Sequence, residues 1–276
     1  MDVRWGLAMM ASAALLLTSR VFGGDAAQTI SQSTQIDVEV GPYTGAFPFI
    51  GFDDFGGQRE LTGATLSFSG EASLAFEIEN GAPFPAPNVL LILEGIGSAR
   101  IGMNAAEIEF ENFTIPPAPL EATDGINASG GDFWNGFLQD SASGSYEFEN
   151  DRLDQLRQGQ AVDVNVFLNP TVGDFGLTQG VVSIHDFRFA GDVTLEYEFD
   201  CTELCTADVM PVVRAGVYGN GLVNVDDLIA IINGFGMGEL RFDINPRNPD
   251  CTLGDGQVGI DDLIAVINAF GSCPND

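Results

Sequence analysis

The 276-residue sequence predicts a mainly β protein: an antiparallel β-sandwich of jelly-roll-like type, followed by a small pair of α-helical repeats. Three observations lead there. Short runs between about Ile30 and Phe199 alternate apolar and polar residues with a period of two, as half-buried strands must. Clusters of Gly, Pro, Asn and Asp punctuate those runs. After Cys201 the pattern changes to a tandem duplication at an offset of 35 residues, without a gap.

The strand signal is carried by Ile36–Val40, Ala75–Glu79, Ile108–Glu111, Ser145–Glu149, Val162–Val166 and Val193–Phe199. Turns are expected at Asn80–Pro87, Pro116–Pro119, Asp124-Gly125, Gly130-Gly131 and Gly173-Asp174. A helix in this region is expected only at Asp151–Arg157, and a short one. In the duplication, Leu228, Ile231, Ile232 and Phe235 follow helical spacing, and Leu263, Val266, Ile267 and Phe270 repeat it. That spacing predicts one shared buried face on each helix. Gly236 and Gly271 follow as left-handed caps. The expected division is an export signal over 1–26, the β domain over 28–200 and the duplicated module over 201–276.

Composition narrows the partners. There are 40 acidic residues against 10 basic ones, all arginine, for a formal charge of −30. Such a surface repels nucleic acid, which needs clustered Lys and Arg, and favours cations, calcium above all. Salt adaptation or simple solubility explains the charge equally, so charge alone supports no function. With 45% hydrophobic residues and 21 Phe the chain still has the means to build a core. Arg4 followed by the apolar run Trp5–Leu17 reads as a signal peptide cleaved between Gly23 and Ala27, too short to span a bilayer. The expected location is therefore secreted or at the cell surface, with no integral membrane segment. Cys201, Cys205, Cys251 and Cys273 are even in number, as expected for disulfides in an exported chain. Three pairings are open, with a weak lean to Cys201–Cys205 and Cys251–Cys273.

Catalytic patterns are weak. Glu77 with Glu79, and Glu107, Glu109 and Glu111, lie two apart, hence roughly 6.5–7 Å on one strand face, a separation used in inverting sugar hydrolysis. Their alternation with Phe and Ile reads instead as a solvated face. The single His185 is followed by Asp186, which alternation sends to the other face. No enzyme is expected, a glycoside hydrolase being the catalytic alternative. Trp134, in the aromatic-rich Gly131–Phe137 read as a loop, is more often a core plug in such a setting, and otherwise the candidate platform for a polysaccharide or matrix ligand. Asn112-Phe-Thr114 and Asn127-Ala-Ser129 match the glycosylation acceptor pattern, one that short sequences meet by chance.

Each repeated unit is an acidic Gly turn followed by an amphipathic helix, Gly219-Asn-Gly-Leu-Val-Asn-Val-Asp-Asp227 and Gly254-Asp-Gly-Gln-Val-Gly-Ile-Asp-Asp262. It resembles half an EF-hand as used in dockerins of type I. The resemblance implies calcium sites, and with so few formal charges per loop they are expected to be weak, with affinity of about 10⁻⁴–10⁻³ M. Ligands would be Asp208, Asn220, the Leu222 carbonyl, Asn224 and Asp227 in the first unit, and Asp243, Asp255, the Gln257 carbonyl and Asp262 in the second. The sequence departs from the pattern upstream, where Gly216, Tyr218, Cys251 and Leu253 stand at ligand positions. Asp208 and Asp243 must then return across insertions containing Pro211 and Pro246. Asp227 and Asp262 also have a metal-free role in the first helical turn, facing the helix dipole. The dockerin resemblance further implies a cohesin-like or surface-scaffold partner. Phe52–Gly70 and the closing strand Gly191–Phe199 resemble the choice-of-anchor E family of exported bacterial surface proteins, which implies surface display and no defined activity.

Overall fold

The computed structural model describes residues 18–20, 28–39, 41–54, 59–126, 128–157, 160–202, 205–210, 212–214, 217–236, 241–246, 248, 251 and 253–273. Nearly all of the expected export segment, Phe55–Gln58 of the choice-of-anchor motif, Asn127, Pro211 and Gly216 lie outside them.

The chain is mainly β, built on two antiparallel sheets. Their strands are β1 (Thr18–Arg20), β2 (Gln28–Glu39), β3 (Tyr43–Ile50), β4 (Arg59–Asn80), β5 (Leu90–Ile101), β6 (Asn104–Thr114), β7 (Phe133–Phe148), β8 (Ala161–Phe175) and β9 (Gly180–Cys201). One sheet has the order β1-β2-β9-β4-β7, the other β3-β8-β5-β6. Successive strands thus keep crossing between sheets. Four of the six alternating runs fall wholly within these strands; Ser145–Glu149 runs one residue past β7, and Val40 of Ile36–Val40 lies outside the described residues. A 3-10 helix at Asn150–Gln155 is the expected short helical turn.

Alternation fixes the inner face. Leu66, Phe68, Leu74, Phe76 and Ile78 of β4 are buried with Leu91 and Leu93 of β5, Val164 and Val166 of β8, and Leu195 and Phe199 of β9. Residues of both sheets therefore enter one core. Polar ties join the sheets as well. Buried Gln32 of β2 donates to the Ile50 carbonyl of β3 at 2.7 Å and accepts from the Ile50 amide at 2.9 Å. The Tyr197 hydroxyl of β9 donates to the same carbonyl at 2.9 Å. Burial pushes that phenol's pKa up.

The strands β4 and β9 run 22 residues each, longer than their alternating segments announce, because Gly70 and Gly191 face each other inside the ladder. A Cβ on Gly70 would meet the Phe189 ring, and one on Gly191 the Ser69 carbonyl. Only glycine lets the strands pass there.

Two expectations need correction here. Phe133–Phe137 is the start of β7 and not a loop. Trp134 packs edge-on against Phe76, with centroids 4.7 Å apart, so its ring is committed to the protein interior on one side. The paired disulfides are Cys201–Cys251 and Cys205–Cys273, not the local pairs. Cys201 ends β9, while Cys205 has already turned into the repeats. Among the described residues no helix is long and apolar enough to cross a membrane.

Candidate metal centre in the duplicated module

The module contains β10 (Val212–Arg214), β11 (Val217–Tyr218), β12 (Leu222–Val223), α1 (Val225–Gly234), α2 (Ile260–Asn268) and β13 (Gly271–Ser272). Its small core collects Ala207, Val209, Val223, Ile231, Phe242, Ile244, Val258 and Val266. Both helices start with two aspartates, which suit the positive end of the helix dipole. Asn224 caps α1, its side chain accepting from the Asp226 amide at 2.7 Å.

The helices bury only part of the face that helical spacing predicts: Leu228 and Ile231 of α1, and Leu263 and Val266 of α2, pack in the module's core. In α1 the buried residues are Asp227, Ala230, Ile231 and Gly234, whereas Ile232 and Phe235 are exposed. In α2, Asp262 and Val266 are buried, and Ile267 and Phe270 are exposed. The reason lies at Gly234, where a Cβ would stand 2.5 Å from the Phe242 ring. Phe242 packs onto the Gly234 side and rotates α1 away from the Ile232–Phe235 side. Gly236 has the left-handed backbone expected of a cap, with φ of 76°, and donates to the Val258 carbonyl at 3.0 Å. The counterpart contact pairs β12 with β13, Val223 opposite Gly271, so each helix end is tied to the other unit's loop.

The aspartates expected as ligands are drawn to their loops. Asp208 returns across the insertion: its carboxylate accepts from the Asn220 amide at 2.9 Å and the Gly221 amide at 2.6 Å. Asp243 repeats this with Asp255 at 3.0 Å and Gly256 at 2.6 Å. Asp227 accepts from Val209 and Met210 at 2.8 Å each, and from Asn224 at 2.9 Å. Asp262 accepts from Ile244 at 2.6 Å, Asn245 at 2.9 Å and Gly259 at 2.7 Å. Gly219 and Gly254, with φ of 95° and 85°, give the Asp208 and Asp243 carboxylates room to enter. Sequence reasoning passed over these two glycines, although their offset of 35 residues marks them as part of the repeat.

The other expected ligands lie on the rims. Asn220 accepts from the Leu222 amide, and Asp255 from the Gln257 amide, each at 3.0 Å. The Leu222 carbonyl accepts from the Asn224 side chain at 3.3 Å. Gln257 is exposed. A carboxylate has about four lone-pair sites, so the amides do not exhaust the four buried aspartates. The donor set is all oxygen, which suits calcium, but the loops are also satisfied by their own amides. Asp208 lies near Cys205 and Cys273, whose sulfurs are joined to each other and so are not thiolate ligands.

Elsewhere, Glu77, Glu107, Glu109 and Glu111 are on solvent-facing positions, as a polar strand face requires. His185 lies 3.7 Å from Glu77 across β9 and β4. At Asp186, φ of 49° and a register shift mark a bulge, which breaks the simple alternation expected there. No protein-family model matches the chain, nor does any curated protein or solved structure.

Proposed function

We propose that the chain is an exported, non-catalytic protein in which a jelly-roll domain is displayed or assembled through a C-terminal dockerin-like module with calcium-responsive loops. The observation that carries this reading is a duplicated apolar face. Val225, Ile229, Ile232 and Phe235 are exposed in the first unit, and Ile260, Ile264, Ile267 and Phe270 in the second, each 35 residues from its counterpart. Eight large apolar side chains left in water at matching positions fit a docking surface better than a covered structural hairpin.

Other features support the same reading. The strand orders β2-β9-β4-β7 and β3-β8-β5-β6 are those of an eight-stranded jelly roll. Two disulfides suit an oxidising compartment, as the expected signal over 1–26 requires. Four buried carboxylates in oxygen-lined loops suit calcium, Asp208 and Asp227 in one unit, Asp243 and Asp262 in the other. Calcium would supply charge neutralisation there. The protein's own amides already hold these carboxylates, so the loops need the ion to stiffen rather than to fold.

The deciding experiment is calorimetric titration of the full chain with calcium, followed by binding to a purified cohesin domain with and without the ion. Calcium heat together with cohesin binding supports the proposal. Absence of both would leave a metal-free helical hairpin and end the docking reading.

A further inference from the structure

The repeats are not the only place where carboxylates converge. At one end of the two sheets, the segments Asn80–Ala86, Leu120–Ile126 and Ala128–Asp132 form a cradle between β4, β5, β6 and β7. Asn80, fully buried, holds it together. Its side-chain amide donates to the Phe84 carbonyl at 2.9 Å and the Glu121 carbonyl at 2.6 Å, and its oxygen accepts from Ala82 at 3.1 Å. Backbone bonds from Asn80 to Asp132, Thr123 to Ala82 and Glu121 to Gly131, all at 2.9 Å, close the frame.

Inside this frame Asp132 is only 1% exposed. Its Oδ2 accepts from the Asp124 amide at 3.1 Å, and its Oδ1 has no hydrogen-bond partner among the described residues. Leaving a buried carboxylate oxygen unpaired is costly, so such an atom calls for a counter-charge. It points at a second carboxylate. A methyl group placed on Gly130 would lie 2.9 Å from Asp132 Oδ1 and 2.7 Å from Asp124 Oδ2, so both oxygens border the same small space. Asp124 Oδ1 is held elsewhere by the Ile126 amide at 2.7 Å, which leaves Oδ2 turned inward. Glu121 lies beside the next residue, its Oε2 2.7 Å from where a methyl on Gly131 would stand. Gly130 itself has φ of 88°, so both backbone and space favour glycine.

We propose that this cradle is a divalent-cation site, of the calcium type, ligated by Asp132 Oδ1 and Asp124 Oδ2. Oxygen donors around a rigid turn, with waters and carbonyls completing six to eight positions, suit calcium better than magnesium, which demands a near-ideal octahedron. The chain's charge of −30 draws cations to it. Bound there, the ion pins the long Leu120–Asp132 connection to the end of β4.

The test uses the full chain and the metal itself. Terbium is added as a calcium substitute and its emission excited through Trp134, two residues from Asp132. Calcium should quench that emission by displacement and raise the melting temperature. Asp132→Asn and Gly130→Ala, the second placing a methyl in the space between the carboxylates, should each weaken terbium binding at least tenfold. Asp227→Asn and Asp262→Asn in the repeats should leave the Trp134-sensitised signal unchanged, which separates this site from the module. In chelator, Asp132→Asn should melt no lower than the parent, because the amide removes an unpaired buried charge. Trp134-sensitised emission that is absent in the parent, or equal in the parent and both cradle variants, overturns the site. So does emission that the repeat variants abolish.

Discussion

Asp227 and Asp262, 35 residues apart, make the same three hydrogen bonds: each carboxylate accepts two amides from the segment before its loop and one from the residue before its helix. Neither is reached by solvent. Amide bonds to a buried carboxylate are charge-assisted, and removing the acceptor strands the donors. Asp262→Ala should therefore destabilise the module by about 3 kcal/mol, since one buried and two half-buried amides each lose a partner. Denaturation followed by the helical circular dichroism signal measures it. A loss under about 1 kcal/mol would mean the amides find water instead.

Two glycines of one turn should behave differently. At Gly254 a Cβ would run into the Asp243 carboxylate, whereas at Gly256 it meets nothing within 4 Å, although both have positive φ. Gly256→Ala should carry only the left-handed backbone cost, about 1 kcal/mol. Gly254→Ala should cost that and also expel Asp243 from the amides of Asp255 and Gly256. Melting curves of the two variants give the comparison, and equal losses would refute the idea that the loop is built round the carboxylate.

The interlaced disulfides carry a third expectation. Cys201–Cys251 and Cys205–Cys273 close spans of 50 and 68 residues, each of which by loop entropy alone would contribute about 4 kcal/mol. Non-reducing peptide mapping should recover these two pairs. Reduction should melt the repeats at a lower temperature than the β domain, whose core lies mainly between the sheets. Recovery of Cys201–Cys205 would contradict the structure.

The strands were legible because a half-buried strand must alternate, and the repeat was legible because duplication needs no physics to detect. The carboxylates were visible as an acidic pattern, but their partners were not: a backbone amide leaves no mark in the sequence. Asp208 illustrates this, since the insertion that separates it from the loop in sequence brings it to Asn220 and Gly221. Helical spacing placed Leu228 and Ile231 on the core side but misplaced Ile232 and Phe235, for a different reason. Ile229 and Ile232 are as apolar as Leu228 and Ile231, so periodicity offers two faces, and the choice between them is made by Phe242 from outside the helix. Asp132 carried no signal at all. Its importance comes from burial and an unpaired oxygen, both properties of the fold.

A fourth prediction concerns pH. Arg188 of β9 hydrogen-bonds the Asp37 carboxylate of β2 and holds its pKa below the usual carboxylate range. A lowered folded-state pKa means that the pair's contribution is present above the unfolded value, about 3.9, and is lost as pH falls through the lower folded value. Both groups are exposed, so the stability change is small and the titration itself is the better readout. Arg188→Gln should return Asp37 to an ordinary titration in a carboxyl-carbon NMR experiment. An unchanged midpoint would show that the contact does not persist in solution.

The exposed helix face makes the last prediction. Ile229 and Ile264 occupy equivalent places on α1 and α2, each about half exposed, and neither belongs to the module's core. Replacing such surface residues usually changes stability by less than about 0.5 kcal/mol. A docking surface is far more sensitive, because truncating a central apolar anchor costs about 2 kcal/mol or more of binding energy. Ile229→Glu with Ile264→Glu should thus keep the melting temperature and helix content while weakening cohesin binding at least thirtyfold. Either single variant tells how the duplication is used. If both units contact the partner together, each single change should weaken binding; if the units are alternatives, each single variant should bind nearly as well as the parent and only the double change should fail. Full binding by the double variant would remove this face from the docking surface.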